Sequence, residues 1–300
     1  MKAVVFAYSN VGDRCLRVLH AGGVEVALVV THTDRPGEAI WFRRVADTAA
    51  ELALPLVCAD DPRDGALAAR VAAAGADLLF SFYYRALIPT PLLALARAGA
   101  FNMHGSLLPH YRGRAPVNWA ILHGATQTGA TLHEMVARPD AGAIVDCSAV
   151  PILPDDTAAE VSDKVTYAAE QVLWRSLPAI VEGRAPRRPN DLSQGSYFGA
   201  RTPEDGRIDW SLPAQQVYNL IRAVAPPFPG AFTDLAGTRL VVAKARLRKG
   251  AASDAPPGLH ADDRHVIGVC GDGGVIDVHE LRSGAVAIDA GRLRRLFSGQ

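Results

Sequence analysis

The chemistry in this sequence is concentrated in Phe101-Asn102-Met103-His104-Gly105-Ser106-Leu107-Leu108-Pro109. Asn102 and His104 are two apart on an expected strand, so their side chains share one face. An amide donor beside an imidazole could stabilise a developing oxyanion and move a proton. The same pair could instead satisfy backbone groups at a strand end, a common fate of polar residues there. A second feature is Arg138-Pro139-Asp140-Ala141-Gly142. Aspartate in a turn before glycine is ordinary turn chemistry. Brought near an imidazole, its carboxylate would hold the ring oriented and raise its pKa. Tyr111-Arg112-Gly113-Arg114-Ala115-Pro116 offers two arginines suited to a carboxylate or phosphate, or to a solvated loop. The aromatics of Ser81-Phe82-Tyr83-Tyr84-Arg85 either line a pocket or pack in the core.

These residues need a scaffold to bring them together. Residues 3–8 form a continuous apolar run, as a buried parallel strand would. Further strands are expected at 24–30, 55–58, 77–84 and 100–104. Helical patterns fall between them, through 16–19, 43–53, 64–75 and 92–98. This alternation predicts an α/β fold, a Rossmann-like and mostly parallel sheet with helices on both faces. Asn102 and His104 then lie near a strand's carboxyl end, where open α/β sheets place their ligands. The first loop, Ser9-Asn10-Val11-Gly12, lacks GxGxxG, which argues against an NAD enzyme. A helix at 115–123, strands at 131–136 and 143–152, and a long helix at 157–181 follow.

Residues 185–206 are rich in Arg, Pro, Gly, Asn and Ser and read as a linker running over the surface. A helix at 214–223 precedes short β-rich runs at 231–234, 239–247, 264–270, 274–280 and 284–288. These suggest a small open β-barrel of OB-like type. The expected division is a catalytic domain at 1–188, a linker at 189–205 and a barrel domain at 206–300.

A chain of 300 residues with 49% hydrophobic and 21% charged content can bury a sizeable core, which excludes a disordered protein. The 31 basic and 31 acidic residues balance, so no basic excess advertises a nucleic-acid partner. Cys15, Cys58, Cys147 and Cys270 are far apart and form no CxxC pair, as expected of reduced thiols. His20, His123, His133, His260, His265 and His279 show no HxxxH or HExxH spacing, so no catalytic metal is expected. No apolar run approaches the length of a membrane span, and residues 1–8 read as a first strand rather than a signal peptide. The expected location is the cytoplasm.

At Asn102 to Pro109, followed by Arg112-Gly113 and Asp140-Ala141-Gly142, the chain resembles the folate-dependent formyltransferases. These transfer a formyl group from N10-formyltetrahydrofolate to an amine. The resemblance extends through Ile208-Asp209-Trp210, Ile221-Arg222-Ala223-Val224 and Phe228-Pro229-Gly230-Ala231-Phe232, which are similar to the family's carboxyl-terminal barrel. The closest branch is the formyltransferase domain of the bifunctional enzymes that modify UDP-4-amino-4-deoxy-L-arabinose for lipid A. Shared words are Thr31-His32-Thr33-Asp34, Pro36-Gly37-Glu38, Ser81 to Arg85, Arg112 to Pro116 and Arg201-Thr202-Pro203. The basic insertion of methionyl-tRNA formyltransferases is missing after Asp34-Arg35-Pro36. The bifunctional proteins continue into a decarboxylase domain, so the chain is read as a stand-alone formyltransferase or as part of a longer protein. Pro226 departs from the branch, which often has an acidic residue there.

The resemblance implies that Asn102 and protonated His104 stabilise the oxyanion, that His104 protonates the leaving nitrogen, and that Asp140 keeps it charged. It places the folate along Ala86, Leu87, Ile88 and Arg114, with Val136, Ala137, Arg138, Pro139 and Asp140. It implies nucleotide-sugar and folate as small-molecule partners, with an oligomer or a separate decarboxylase possible. Another nucleotide-linked 4-amino sugar is the alternative acceptor, and methionyl-tRNA a further one. A folate or nucleotide sensor on the same scaffold is the non-enzyme alternative, and it would not need Asn102, His104 and Asp140 together.

Overall fold

The computed structural model describes every residue except 35, 36, 38, 39, 299 and 300. Arg35 and most of the word Pro36-Gly37-Glu38 therefore lie outside the described residues, as do the last two positions of the expected barrel. Contacts divide the chain into two compact units. The first comprises Met1–Pro116, Gln127–Pro151 and Ser162–Gly199, and the second Val117–Thr126, Ile152–Val161 and Ala200–Gln300.

The first unit opens with β1 (Lys2–Ala7), α1 (Ser9–Ala21), β2 (Glu25–Thr31), α2 (Val45–Glu51), β3 (Leu56–Cys58) and α3 (Gly65–Ala74). It continues with β4 (Leu78–Phe82), α4 (Thr90–Leu93), β5 (Gly99–His104) and β6 (Arg112–Gly113). After α5 (Pro116–Leu122) come β7 (Gln127–Glu134), β8 (Ile144–Pro151), α6 (Ala158–Val181) and β9 (Tyr197–Phe198). Two of these helices start for a local reason. The Asp64 side chain caps α3 by accepting from the Ala66 N–H at 3.0 Å, and Gly75 ends that helix in the left-handed region. Pro91 sits in the first turn of α4, where its missing N–H costs nothing. That helix consequently begins before 92 and is over by Leu93, earlier than the expected 92–98.

Seven strands form one sheet in the order β3-β2-β1-β4-β5-β7-β8. The first five are mutually parallel, while β5–β7 and β7–β8 are antiparallel. The strand order reverses between β1 and β4, so the expected crevice lies at the carboxyl ends of the central strands. The register sets Ser81 beside Asn102 on β4 and His133 beside Asn102 on β7. Phe6, Phe80, Phe82, Leu78, Leu79 and Met103 are fully buried along these strands. Each such side chain contributes about 1.5–3 kcal/mol, which makes the central strands a rigid platform for β5.

The second unit holds α7 (Ala214–Val224), β10 (Ala231–Leu235), β11 (Thr238–Ala252), β12 (Gly258–Ala261), β13 (Val266–Val269), β14 (Gly274–Ser283), β15 (Val286–Ala287) and α8 (Ala290–Ser298). Its strands form an antiparallel sheet in the order β10-β11-β14-β13-β12, with β15 added on β14. Register shifts at Val242/Lys244, Lys244/Ala245 and Arg248/Ala252 let the long β11 bend, as bulges do, and the sheet curls into an open half-barrel. Buried Val217, Tyr218, Ile221 and Val224 on α7, spaced at helical intervals, face this sheet. Of these elements, the short β12 and the terminal α8 have no counterpart in the sequence analysis.

Candidate active site

The site is built on the last residues of β5. Met103 is buried, and its neighbours Asn102 and His104 lie two apart at the strand's end. Gly105 then turns the chain. A Cβ there would sit 1.9 Å from the Tyr83 hydroxyl, so only glycine admits this close approach beside His104. Asp140 arrives from the turn between β7 and β8 with φ +52°, a left-handed conformation that aspartate tolerates.

His104 is 6% exposed. Its Nε2 lies 2.9 Å from the Tyr111 carbonyl oxygen. A carbonyl only accepts, so Nε2 carries a proton and the titrating position is Nδ1. Asp140 Oδ1 lies 3.6 Å from that Nδ1. The other carboxylate oxygen accepts from the Gly113 N–H at 2.8 Å. One edge of β6 thus holds both groups, through the Tyr111 carbonyl and the Gly113 amide. Its opposite edge pairs in parallel with β9. Gly113 has φ +96°, and a Cβ there would come within 2.2 Å of the Phe198 carbonyl oxygen.

His133 completes the cluster. It is 1% exposed, its Nε2 lies 3.0 Å from Asn102 Nδ2 and 3.5 Å from Asp140 Oδ1, and its Nδ1 lies 2.8 Å from the Glu134 carbonyl oxygen. Nδ1 therefore donates to that carbonyl, and neutral Nε2 accepts from Asn102. One Asn102 amide hydrogen is held this way, and the second remains for a ligand oxygen. The Asn190 amide donates to the Asp140 and Gly142 carbonyls at 3.0 and 3.1 Å, fixing the Asp140 turn.

The protonation states follow from this packing. Burial alone would raise the Asp140 pKa. Once protonated, His104 attracts the carboxylate, and with the Gly113 amide this outweighs burial and holds the carboxyl well below its ordinary range. For His104 the balance differs from the sequence expectation. Burial lowers its pKa below the ordinary imidazole value, and the opposing pull of Asp140 and the Tyr111 carbonyl does not overcome it. The resting ring is therefore neutral rather than charged near neutral pH, a correction whose cause is desolvation. Asp140 orients the ring and limits the lowering.

The remaining expected residues lie around this cluster. Ala86, Leu87 and Ile88 form the loop after β4. Ala86, Ile88 and Met135 pack against one core cluster with Tyr84, Leu92 and Ala100. Arg114 is exposed and its Nη1 donates to the Arg85 carbonyl at 3.1 Å, next to Ala86. Val136, Ala137 and Arg138 are exposed and Pro139 is half-buried. Leu87 at 68% and Val136 at 47% exposure present apolar surface to solvent. Among the described residues, seven non-glycines have positive φ. Four of them (Tyr83, Tyr111, Ala115 and Asp140) border this site, where backbone strain characteristically collects.

The sequence reading set His133 aside because its spacing to other histidines is uninformative. Its signal lies in strand register, since β7 sets it directly opposite Asn102. The expected linker at 189–205 supplies Asn190 and β9, which local composition gives no means of anticipating. Among the described residues no group of three or more His, Cys, Asp or Glu side chains could hold a metal ion, and no helix is long and apolar enough to cross a membrane.

Comparison with known proteins yields two family matches. The formyl transferase family matches residues 1–177, and the formyl transferase C-terminal domain matches residues 201–292. Among solved structures, the fold is similar to an N-formyltransferase from Helicobacter canadensis, determined with folinic acid and dTDP-3-aminofucose. That match has a TM-score of 0.72 and 17% identity, over 93% of this chain and 98% of the other. A 4-N formyltransferase from Francisella tularensis matches with a TM-score of 0.65 and 20% identity, over 81% of this chain and 96% of the other. HypX from Aquifex aeolicus with tetrahydrofolic acid matches at 0.68 and 18% identity, over 100% of this chain and 48% of the other. At these identities the likeness is one of fold.

Proposed function

The chain belongs to the formyl transferase family, and we propose that it transfers a formyl group from N10-formyltetrahydrofolate to the 4-amine of a nucleotide-linked amino sugar. UDP-4-amino-4-deoxy-L-arabinose, destined for lipid A, is the acceptor favoured by the words at 31–34, 81–85, 112–116 and 201–203. The N-formyltransferases from Helicobacter canadensis and Francisella tularensis, of similar fold, support the substrate class. The observation that carries the reading is the meeting of Asn102, His104 and Asp140 at the end of β5. We assign catalysis to residues 1–188, with 189–205 as linker and 206–300 as the barrel domain.

In this reading the amine attacks the formyl carbon, and charge builds on the formyl oxygen. The free Asn102 amide hydrogen is placed for that oxygen, and the bond to His133 fixes the amide's orientation. Neutral His104 accepts the amine's proton at Nδ1. It becomes an imidazolium facing Asp140 and delivers the proton to the leaving N10. The exposed apolar Leu87 and Val136 suit the flat pterin, and backbone groups of 86–88 suit its polar edge. The balanced net charge favours a small acceptor over tRNA.

The test is tetrahydrofolate release with a panel of acceptors. Release with the arabinose sugar supports the lipid A role, and release with another nucleotide-linked 4-amino sugar changes only the acceptor. Release without acceptor contradicts the transferase reading. Silence with every acceptor favours the sensor.

A further inference from the structure

Arg112 is 5% exposed, yet its Nε and Nη1 have no hydrogen-bond partner. Among the described residues, no carboxylate forms an ion pair with it. Arginine does not deprotonate to escape burial, and an isolated buried charge is costly. Such a charge is tolerable where an anion offsets it in the working state of the protein.

Its position ties this charge to the reaction. Arg112 stands between Tyr111, whose carbonyl holds His104, and Gly113, whose amide holds Asp140. Its guanidinium carbon lies 5.9 Å from the centre of the Tyr197 ring, which is 58% exposed. The edge of that ring lies against Gly113. The β6–β9 pair therefore joins an unpaired cationic fork to an open aromatic face. That combination suits a ligand carrying both an oxyanion and a flat ring.

We propose that Arg112 anchors a subsite for an oxyanion group of a substrate. The expected source is the diphosphate of the nucleotide-linked acceptor, an identification that rests on the proposed function. The folate's glutamate carboxylate shares this chemistry and is the other source.

The test uses Arg112→Met in the full chain, which keeps side-chain length and removes the charge. Binding of UDP, inorganic pyrophosphate, folinic acid and a pteroate lacking glutamate is measured by calorimetry, and Tm without ligand by thermal unfolding. UDP and pyrophosphate should bind the variant about tenfold to a hundredfold more weakly, as expected for lost charged hydrogen bonds. Its ligand-free Tm should equal or exceed that of the wild type, because an unpaired buried charge has gone. Arg112→Lys should keep part of the affinity. A loss confined to folinic acid and absent for the pteroate would keep the subsite and assign it to the folate tail. Equal affinities in both proteins for every ligand would overturn the proposal. So would a variant that melts lower or fails to fold, since the arginine would then serve the β6–β9 pair. A wild type that binds pyrophosphate but neither UDP nor folinic acid would contradict the proposed function while leaving the oxyanion subsite in place.

Discussion

Replacing Asp140 by Asn removes one charge and little else. Asn tolerates the φ of +52° as readily as Asp, and its side-chain oxygen can still accept from the Gly113 amide. The fold should therefore survive. Asp140 Oδ1 and His104 Nδ1 are 3.6 Å apart, with side chains 12% and 7% exposed. At an effective dielectric of about 20, unit charges near this spacing attract by about 4 kcal/mol. Removing the attraction lowers the His104 pKa further below its already depressed value. The imidazolium that forms as the amine loses its proton is then destabilised, so kcat falls by about 10³. The assay is kcat against pH, with the His104 ring proton followed by NMR. A His104 titration that stays in place, or activity within about tenfold of wild type, would refute the electrostatic argument.

Asn102→Ala should lose roughly 10² to 10³ in turnover with the fold intact, the usual effect of deleting one oxyanion donor, as steady-state kinetics and circular dichroism would report. His133→Leu leaves the Asn102 amide unanchored and should reduce kcat about tenfold or more while KM stays near wild type. Stability should also depend on pH with a definite sign. The folded pKa of His104 is depressed, so its contribution is present above about pH 6.5 and is lost as pH falls through the lower folded value. The depressed Asp140 carboxyl adds stability that is present above about pH 4 and lost in more acid solution. Tm should therefore decline in two steps on acidification, and His104→Gln should flatten the upper one.

The alternating units through β5 were legible because β1 and β2 carry continuous apolar runs and α3 carries a capping Asp64 and a terminal Gly75. The pairing of Asn102 with His104 was legible for a related reason, since strand periodicity alone puts both on one face. His133 was not, because its role depends on which residue β7 sets opposite Asn102, and register is a long-range property. Asn190 and β9 were hidden by a Pro- and Arg-rich composition that reads as linker, although Tyr197 and Phe198 complete the strand pair behind the site. The charge state of His104 is not legible, because the sequence reveals a carboxylate partner but not the depth of burial, and here burial is the larger effect.

Working as proposed, the site moves a formyl group between two bound molecules. Its most direct test supplies N10-formyltetrahydrofolate labelled in the formyl carbon together with UDP-4-amino-4-deoxy-L-arabinose, and follows the label by mass spectrometry. Label is expected in an amide on the sugar's 4-nitrogen, appearing roughly 10² to 10³ times more slowly with Asn102→Ala. Label released as free formate, or retained by the folate in the presence of every nucleotide-linked amino sugar, would contradict it.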